Sequence, residues 1–269
     1  MTHMIYVVPS LKAKEKLQCE GKAWAESQGF TYVPRGKRTI QDLMDEYGED
    51  FLVYSSRGPQ IDRPEGSHFF SLNMAELRIQ NLRKGQRDHL LEALMGRESS
   101  KLPITVLDCT CGFGADAAVA SFGLPAGSRI DALEVSPLLE AVTSWGFSHF
   151  VHKKDDVTAA LRRISLRRGD YRDYLLSDEE PVYDVLYFDP MFQRPVEASC
   201  QFQPVRAIME HGGLTRDLIE RALQKARRRV VIKERDFRQL CRDFPEVTLY
   251  GGKYSRIGYA VLECDSWKK

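Results

Sequence analysis

At 269 residues, with 43% hydrophobic and 29% charged residues, the chain can bury a full core and has the balance of an ordinary soluble globular protein. No apolar run approaches the roughly 18 residues of a membrane span, and the opening MTHMIYVVPSLKAKEK is too short in apolar residues for a signal-peptide core, so a cytoplasmic address is expected. The formal charge of +1 is a sum over local basic clusters (Arg35 to Arg38, Arg162-Arg163, Arg167-Arg168, Arg227 to Arg229), each compatible with phosphate contact or with a solvated helix face.

In chain order, Met4–Val8 reads as a strand, Leu11–Ser27 as a helix and Phe30–Val33 as a strand. A helix over Ile40–Tyr47 and a strand over Phe51–Tyr54 follow, which together make a small α/β unit. The stretch from Arg57 to Gly66 is rich in turn residues and is expected to be exposed. From Asn73 to Leu94 apolar residues recur at helical spacing with a break at Gly85, predicting two helices. Beyond that the pattern is regular. Strands are predicted at Ile104–Leu107, Arg129–Leu133, Ser165–Arg168, Val182–Phe188 and Arg229–Lys233. Helices are predicted between them at Ala115–Phe122, Pro137–Trp145, Asp155–Ile164 and Leu214–Ala226. The final segments, Val247–Tyr250 and Gly258–Glu263, lie close together with no helix between them, which predicts an antiparallel terminal pair on a doubly wound sheet.

Ligands in such sheets bind at the carboxyl ends of the strands, and four motifs fall there. In VLDCTCGFGAD a strand ends at Asp108 and turns through Thr110, Gly112 and Gly114 into a helix. The spacing is not that of a dinucleotide fingerprint, and no Gly-Lys-Ser/Thr of a phosphate loop is present. Carboxylates at both ends of the turn, Asp108 and Asp116, would repel a pyrophosphate but suit an ammonium or sulfonium, which points to S-adenosylmethionine. In IDALEVSP, Glu134 closes the next strand, where an acid accepts from ribose hydroxyls. In LRRGDYRDYL, Asp170 is placed to bond an adenine amino group with Tyr171 against the ring, or else to cap a helix.

The fourth motif, VLYFDPMFQR, carries the chemistry. An exocyclic aryl amine is a poor nucleophile because its lone pair is delocalised into the ring. Asp189 and the Pro190 carbonyl can accept its hydrogens and draw the nitrogen toward tetrahedral geometry, while Phe192 stacks the base. No metal or covalent nucleophile is required.

Together these motifs resemble class I S-adenosylmethionine-dependent methyltransferases, and Asp189-Pro190-Met191-Phe192 looks like their Asp/Asn-Pro-Pro-aromatic signature of amino-group methylation. Methionine at the third position resembles a narrower group, the RsmJ family of small-subunit ribosomal RNA guanine-N2 methyltransferases. DCTCGFGADA, RVVIKERD and RIGYAVL resemble further stretches of that family, over residues 67 to 263 in all.

The strand–helix pattern divides the chain into a small α/β accessory domain at 1–66, a helical connector at 67–100 and a third domain at 101–269, and the resemblance implies that this third domain is Rossmann-like. It implies cofactor contacts at Ala115, Asp116, Glu134, Val135, Asp170, Tyr171 and Asp189, and methylation of guanine N2 in 16S ribosomal RNA. The same chemistry on adenine in DNA or on a protein glutamine, or a cofactor-binding RNA-associated protein without turnover, are the alternative readings. Arg78, Lys84, Lys233 and Arg235 are the candidate RNA contacts, each against a reading as surface charge.

Cys19, Cys109, Cys111, Cys200, Cys241 and Cys264 form no CxxC pair, so neither disulfides nor zinc are expected. His149, His152 and Asp155 have the spacing of one helix face but lack a further ligand, and no metal is assigned to them.

Overall fold

The computed structural model describes residues 4–96, 102–190, 213–251 and 257–267. Among these the chain forms two compact units, one holding residues 4–71 and 136–150, the other the remainder.

The first unit is built on a five-stranded sheet of order β2-β1-β3-β4-β5. Strands β1 (Tyr6–Pro9), β2 (Thr31–Tyr32) and β3 (Phe51–Ser55) are parallel, while β4 (Gly58–Arg63) and β5 (Gly66–Phe69) continue as an antiparallel meander. Helix α1 (Glu15–Ser27) and helix α2 (Ile40–Tyr47) make the crossovers. Helix α2 begins and ends where local chemistry dictates. Thr39 and Asp42 form a reciprocal capping box, and Gly48 closes the helix with a φ of 63°. Val8, Leu43, Phe51 and Val53 pack as its core.

Within the stretch from Arg57 to Gly66, expected to be an exposed turn, β4 is instead a buried strand, and the exposure is confined to Arg57 and the Pro64-Glu65 turn into β5. Pro59 is tolerated because it pairs with Tyr54 of β3 at a position that β5 does not reach, so no ladder hydrogen bond is forfeited on the far side. The charges are satisfied internally. Gln60 donates to both oxygens of Asp62, and Arg63 donates to the Glu49 carbonyl and lies 5.0 Å from the Phe51 ring centre.

Helix α6 (Pro137–His149), capped by Ser136 with proline in its first turn, packs on β4 in this unit. A β-carbon on its Gly146 would land inside the Phe70 ring. Gly146→Ala is therefore expected to cost about 1–3 kcal/mol by overpacking, read as a lower urea midpoint. An unchanged midpoint would show that the helix is free to shift off the ring.

The second unit has a seven-stranded sheet of order β11-β12-β10-β9-β6-β7-β8. Strands β6 (Thr105–Asp108), β7 (Arg129–Glu134), β8 (Ile164–Arg168), β9 (Val185–Phe188) and β10 (Arg229–Glu234) are mutually parallel. Strand β12 (Gly258–Glu263) is antiparallel to β10 and to β11 (Thr248–Gly251), as the short final connection predicts. Strand order reverses between β6 and β9, which is the place where a doubly wound sheet opens a ligand crevice.

Alternation along β9 sends Phe188 to one face and Tyr187 to the other. Phe188 joins Leu107, Ile219 and Val230 in the apolar core with helix α8 (Tyr171–Leu176) and helix α9 (Arg216–Lys225). Tyr187 points to the face that carries helix α5 (Ala115–Gly123). Two helices precede the sheet, α3 (Asn73–Arg83) and α4 (His89–Met95), with Gly85 at a φ of 76° in the break between them. Helix α7 (Asp155–Leu161) packs on α5. Because α6 ends at His149 and α7 starts at Asp155, no single helix carries His149, His152 and Asp155. His152 bonds Glu76, and His149 stacks on Trp145. Among the described residues no helix is long and apolar enough to cross a membrane.

Candidate active site

The glycine turn is built by the backbone. Cys109 and Cys111 donate N–H groups to the carbonyls of Tyr187 and Leu133, pinning the start of the turn to the two neighbouring strands. Gly112 and Gly114 then take φ values of 55° and 74°, a region that disfavours side chains, and α5 starts at Ala115. Glu134, buried at the end of β7, accepts from the Gly112 N–H at 2.8 Å, so the expected ribose acid is held against the turn. Asp108 accepts from the Thr110 N–H at 3.1 Å, and the Thr110 hydroxyl accepts from the Asp189 N–H at 2.7 Å. The exit of β6 is thereby tied to the exit of β9. Val135 is half-buried beside Glu134, and Pro190 is half-buried after Asp189. Phe192 lies outside the described residues.

A chain of ion pairs crosses this crevice. Arg78 of α3 grips Asp88 with two bonds of 2.8 Å and also donates to Asp116. Asp116 further accepts from the Tyr187 hydroxyl at 2.7 Å and from Lys233 at 2.8 Å. Lys233 reaches on to Asp189 Oδ2 at 2.7 Å. The charges thus alternate as Asp88, Arg78, Asp116, Lys233, Asp189, all in the second unit.

Electrostatics separate the three site carboxyls. Burial would push Asp116 up, but Lys233 and Arg78 outweigh it and hold the group well below its ordinary value. Burial raises Asp108 well above the carboxylate range, with the negative charges of Asp116 and Asp189 adding to it. Asp189 is pushed up to about 6 by burial, against the pull of Lys233. It is therefore ionised near neutrality but close to taking up a proton.

Several sequence expectations change here. Arg78 and Lys233 were candidates for RNA contact, yet each is committed to two carboxylates of the protein itself, because an unpaired cation this deep would be costly. Lys84 and Arg235 remain at the surface. Asp116 has its oxygens engaged by Arg78, Tyr187 and Lys233, so it shapes the charge of the site rather than offering an open acceptor to an ammonium group. Asp170 caps α8 through the Arg172 N–H at 2.8 Å and pairs with the Arg172 side chain. Burial pushes its carboxyl up, but those Arg172 bonds prevail and lower it. Tyr171 is buried edge-on to Phe188, with 5.4 Å between ring centres. Tyr187 escaped the sequence reading. Its only signal was a polar ring at an inward position of a core strand.

A family model described as putative SAM-dependent methyltransferase matches residues 66–257. The chain belongs to this family. The methyltransferase is also 28% identical to the Bacillus subtilis protein YpiP, named as uncharacterized, over 85% of this chain and 88% of that one. It is 28% identical to the ribosomal RNA small subunit methyltransferase J of Marinobacter nauticus, over 71% of this chain and 66% of the relative. The protein of the same name in Thioalkalivibrio sulfidiphilus is 30% identical over 55% of this chain and 57% of its own. The fold matches the crystal structure of a SAM-dependent methyltransferase from Neisseria gonorrhoeae, with a TM-score of 0.63 at 18% identity, covering 96% of this chain and 95% of that one.

The cofactor of the methyltransferase is S-adenosylmethionine. The residues present fit it. A glycine turn that admits close backbone approach is bordered by the acids Asp108, Glu134 and Asp189, which suits a ligand with a ribose and a sulfonium charge. Glu134→Ala is expected to weaken S-adenosylmethionine binding on the order of 10–100-fold, from loss of charge-assisted hydrogen bonds. Isothermal titration checks it, and unchanged affinity would remove Glu134 from the site.

Proposed function

We propose that this methyltransferase acts on an exocyclic amine of a nucleobase in RNA, guanine N2 of small-subunit ribosomal RNA, in the cytoplasm. The observation that carries the reading is Asp189 at the exit of β9. One of its oxygens is held by Lys233, its backbone is anchored on Thr110, and the proline of the amino-methylation signature follows it. The names of the two J-type relatives support the RNA target.

When bound, S-adenosylmethionine supplies a methyl carbon activated by its sulfonium. Asp189 and the Pro190 carbonyl accept hydrogen bonds from the two amine hydrogens, which localises the nitrogen lone pair toward that carbon. As the nitrogen–carbon bond forms, the sulfur–carbon bond breaks and its electron pair goes to sulfur, leaving a neutral thioether. The nitrogen must shed one proton, which Asp189, with its carboxyl raised to about 6, would take and pass to water. Phe192 stacks the extruded base. Glu134 holds the ribose, while Ala115 and Val135 contribute backbone and apolar contact. Exposed Lys84 and Arg235 meet RNA phosphates, and the first unit helps to select the substrate.

Nucleoside mass spectrometry of ribosomal RNA from deletion and complemented cells tests the reading. The expected result is one N2-methylguanosine lost from small-subunit RNA on deletion and restored by the wild type. An unchanged RNA profile, with methylation appearing on DNA adenine or on a protein glutamine, would overturn the RNA target.

A further inference from the structure

We propose that Lys233 is a positioning residue that fixes which oxygen of Asp189 faces the substrate amine and couples that orientation to the cofactor turn through Asp116. The inference rests on the methyl-transfer reading of Asp189.

Parallel pairing of β9 with β10 sets Phe188 opposite Ile232, so the next residues of the two strands, Asp189 and Lys233, emerge side by side. Lys233 bonds Asp189 through Oδ2 alone, at 2.7 Å, and among the described residues no donor is bonded to Oδ1. The Asp189 side chain keeps 29% exposure while Lys233 keeps 15%, so Asp189 is the more accessible partner of the pair. A carboxylate pinned at one oxygen and at its own N–H cannot rotate freely, so Oδ1 is presented in a single direction.

The second arm of Lys233 ends on Asp116, in the first turn of α5, the helix launched by the cofactor turn. Asp116 is steadied from the other side by Arg78, which is itself clamped on Asp88. Displacement of the turn is therefore felt at Asp189 through two short ionic contacts rather than through a flexible loop. The chain also holds three carboxylates against two cations, an excess negative charge that a cationic cofactor would balance.

Among the described residues, the charged and titratable groups facing Asp189 are Lys233 and Glu234 of β10, Asp116 of α5, Asp108 of β6 and Tyr187 of β9. Lys233 is the one cation among them, and the other groups do not favour ionisation of Asp189. Its removal must therefore make the carboxylate harder to form.

The test is an Asp-13Cγ NMR titration of the full chain, with the Asp189 signal assigned by its loss in Asp189→Asn. Lys233→Met is expected to raise the Asp189 midpoint from about 6 by about 1–3 pH units, and Lys233→Arg to restore most of it. Lys233→Gln keeps donors but no charge, and is expected to raise the midpoint as well, which provides a second variant should Lys233→Met fold poorly. In turnover, both neutral variants are expected to lower kcat on the order of 10–100-fold with a smaller change in KM for S-adenosylmethionine, and to move the acid limb upward. A midpoint unmoved in every foldable neutral variant overturns the proposal, whatever the substrate proves to be. A moved midpoint with no methylation of RNA would keep the Lys233–Asp189 coupling and sink the substrate reading instead.

Discussion

Asp189→Ala is expected to lower methyl transfer on the order of 10²–10⁴-fold, with a smaller loss of S-adenosylmethionine affinity, while leaving the fold nearly intact. The fold should survive because the position is tied to Thr110 by its backbone N–H, which alanine keeps, and Lys233 retains Asp116 as a partner. Asp189→Asn keeps a carbonyl acceptor but not the charge, so its loss should be smaller. Single-turnover measurements of methyl transfer, beside titration of the cofactor, separate the two effects. If Asp189→Ala keeps more than about a tenth of the rate, the residue does not orient the amine.

The same group sets a pH dependence. Its folded carboxyl is raised to about 6, so kcat should fall as pH drops through that value and Asp189 becomes protonated. For stability the sign is opposite to that of an ordinary salt-bridged acid. A raised carboxyl favours folding below the unfolded value near 4 and loses that advantage as pH rises to about 6. The wild-type acid limb should be absent from the residual activity of Asp189→Ala. Its persistence would assign the limb to another group.

Asp116→Ala is expected to destabilise the protein by about 1–3 kcal/mol, because it takes one of two carboxylate partners from each of two largely buried cations, leaving Arg78 on Asp88 and Lys233 on Asp189. For a chain of this size that corresponds to a fall in Tm of about 2–12 °C. Asp116 itself is held below its ordinary value, so its contribution is complete above the unfolded carboxyl near pH 4 and is lost only under more acidic conditions. Denaturant unfolding at pH 7 and pH 5 should therefore give the same loss relative to wild type. A loss below about 1 kcal/mol at pH 7 would mean that Arg78 and Lys233 find water or other partners, and that the chain of charges is not a structural element.

The acidic turn, the acid at the end of β7, and the Asp-Pro at a strand exit were legible because each is a local pattern with one chemical reason. Helix α2 was legible for the same cause, since its capping box and terminal glycine lie within ten residues of each other. The hairpin of β4 and β5 was not. Its Pro, Gly and charges read as turn chemistry, and only the pairing of Gln60 with Asp62 and of Pro59 against β3 makes burial acceptable. Helix α8 was missed because Asp170 carries two meanings, and the bond to Arg172 that reveals the cap is visible only once the turn has formed.

By itself the sequence determined the family, the strand-helix alternation and which acids stand at the strand ends, because these depend on residue type and short spacing. The tertiary structure decided the partners. Lys233 lies 44 positions from Asp189 and 117 from Asp116, and Arg78 lies 38 from Asp116. Nothing in local spacing pairs such charges. They meet because parallel strands place their carboxyl ends side by side, and because a buried cation must be matched by whatever carboxylate the strand order brings next to it.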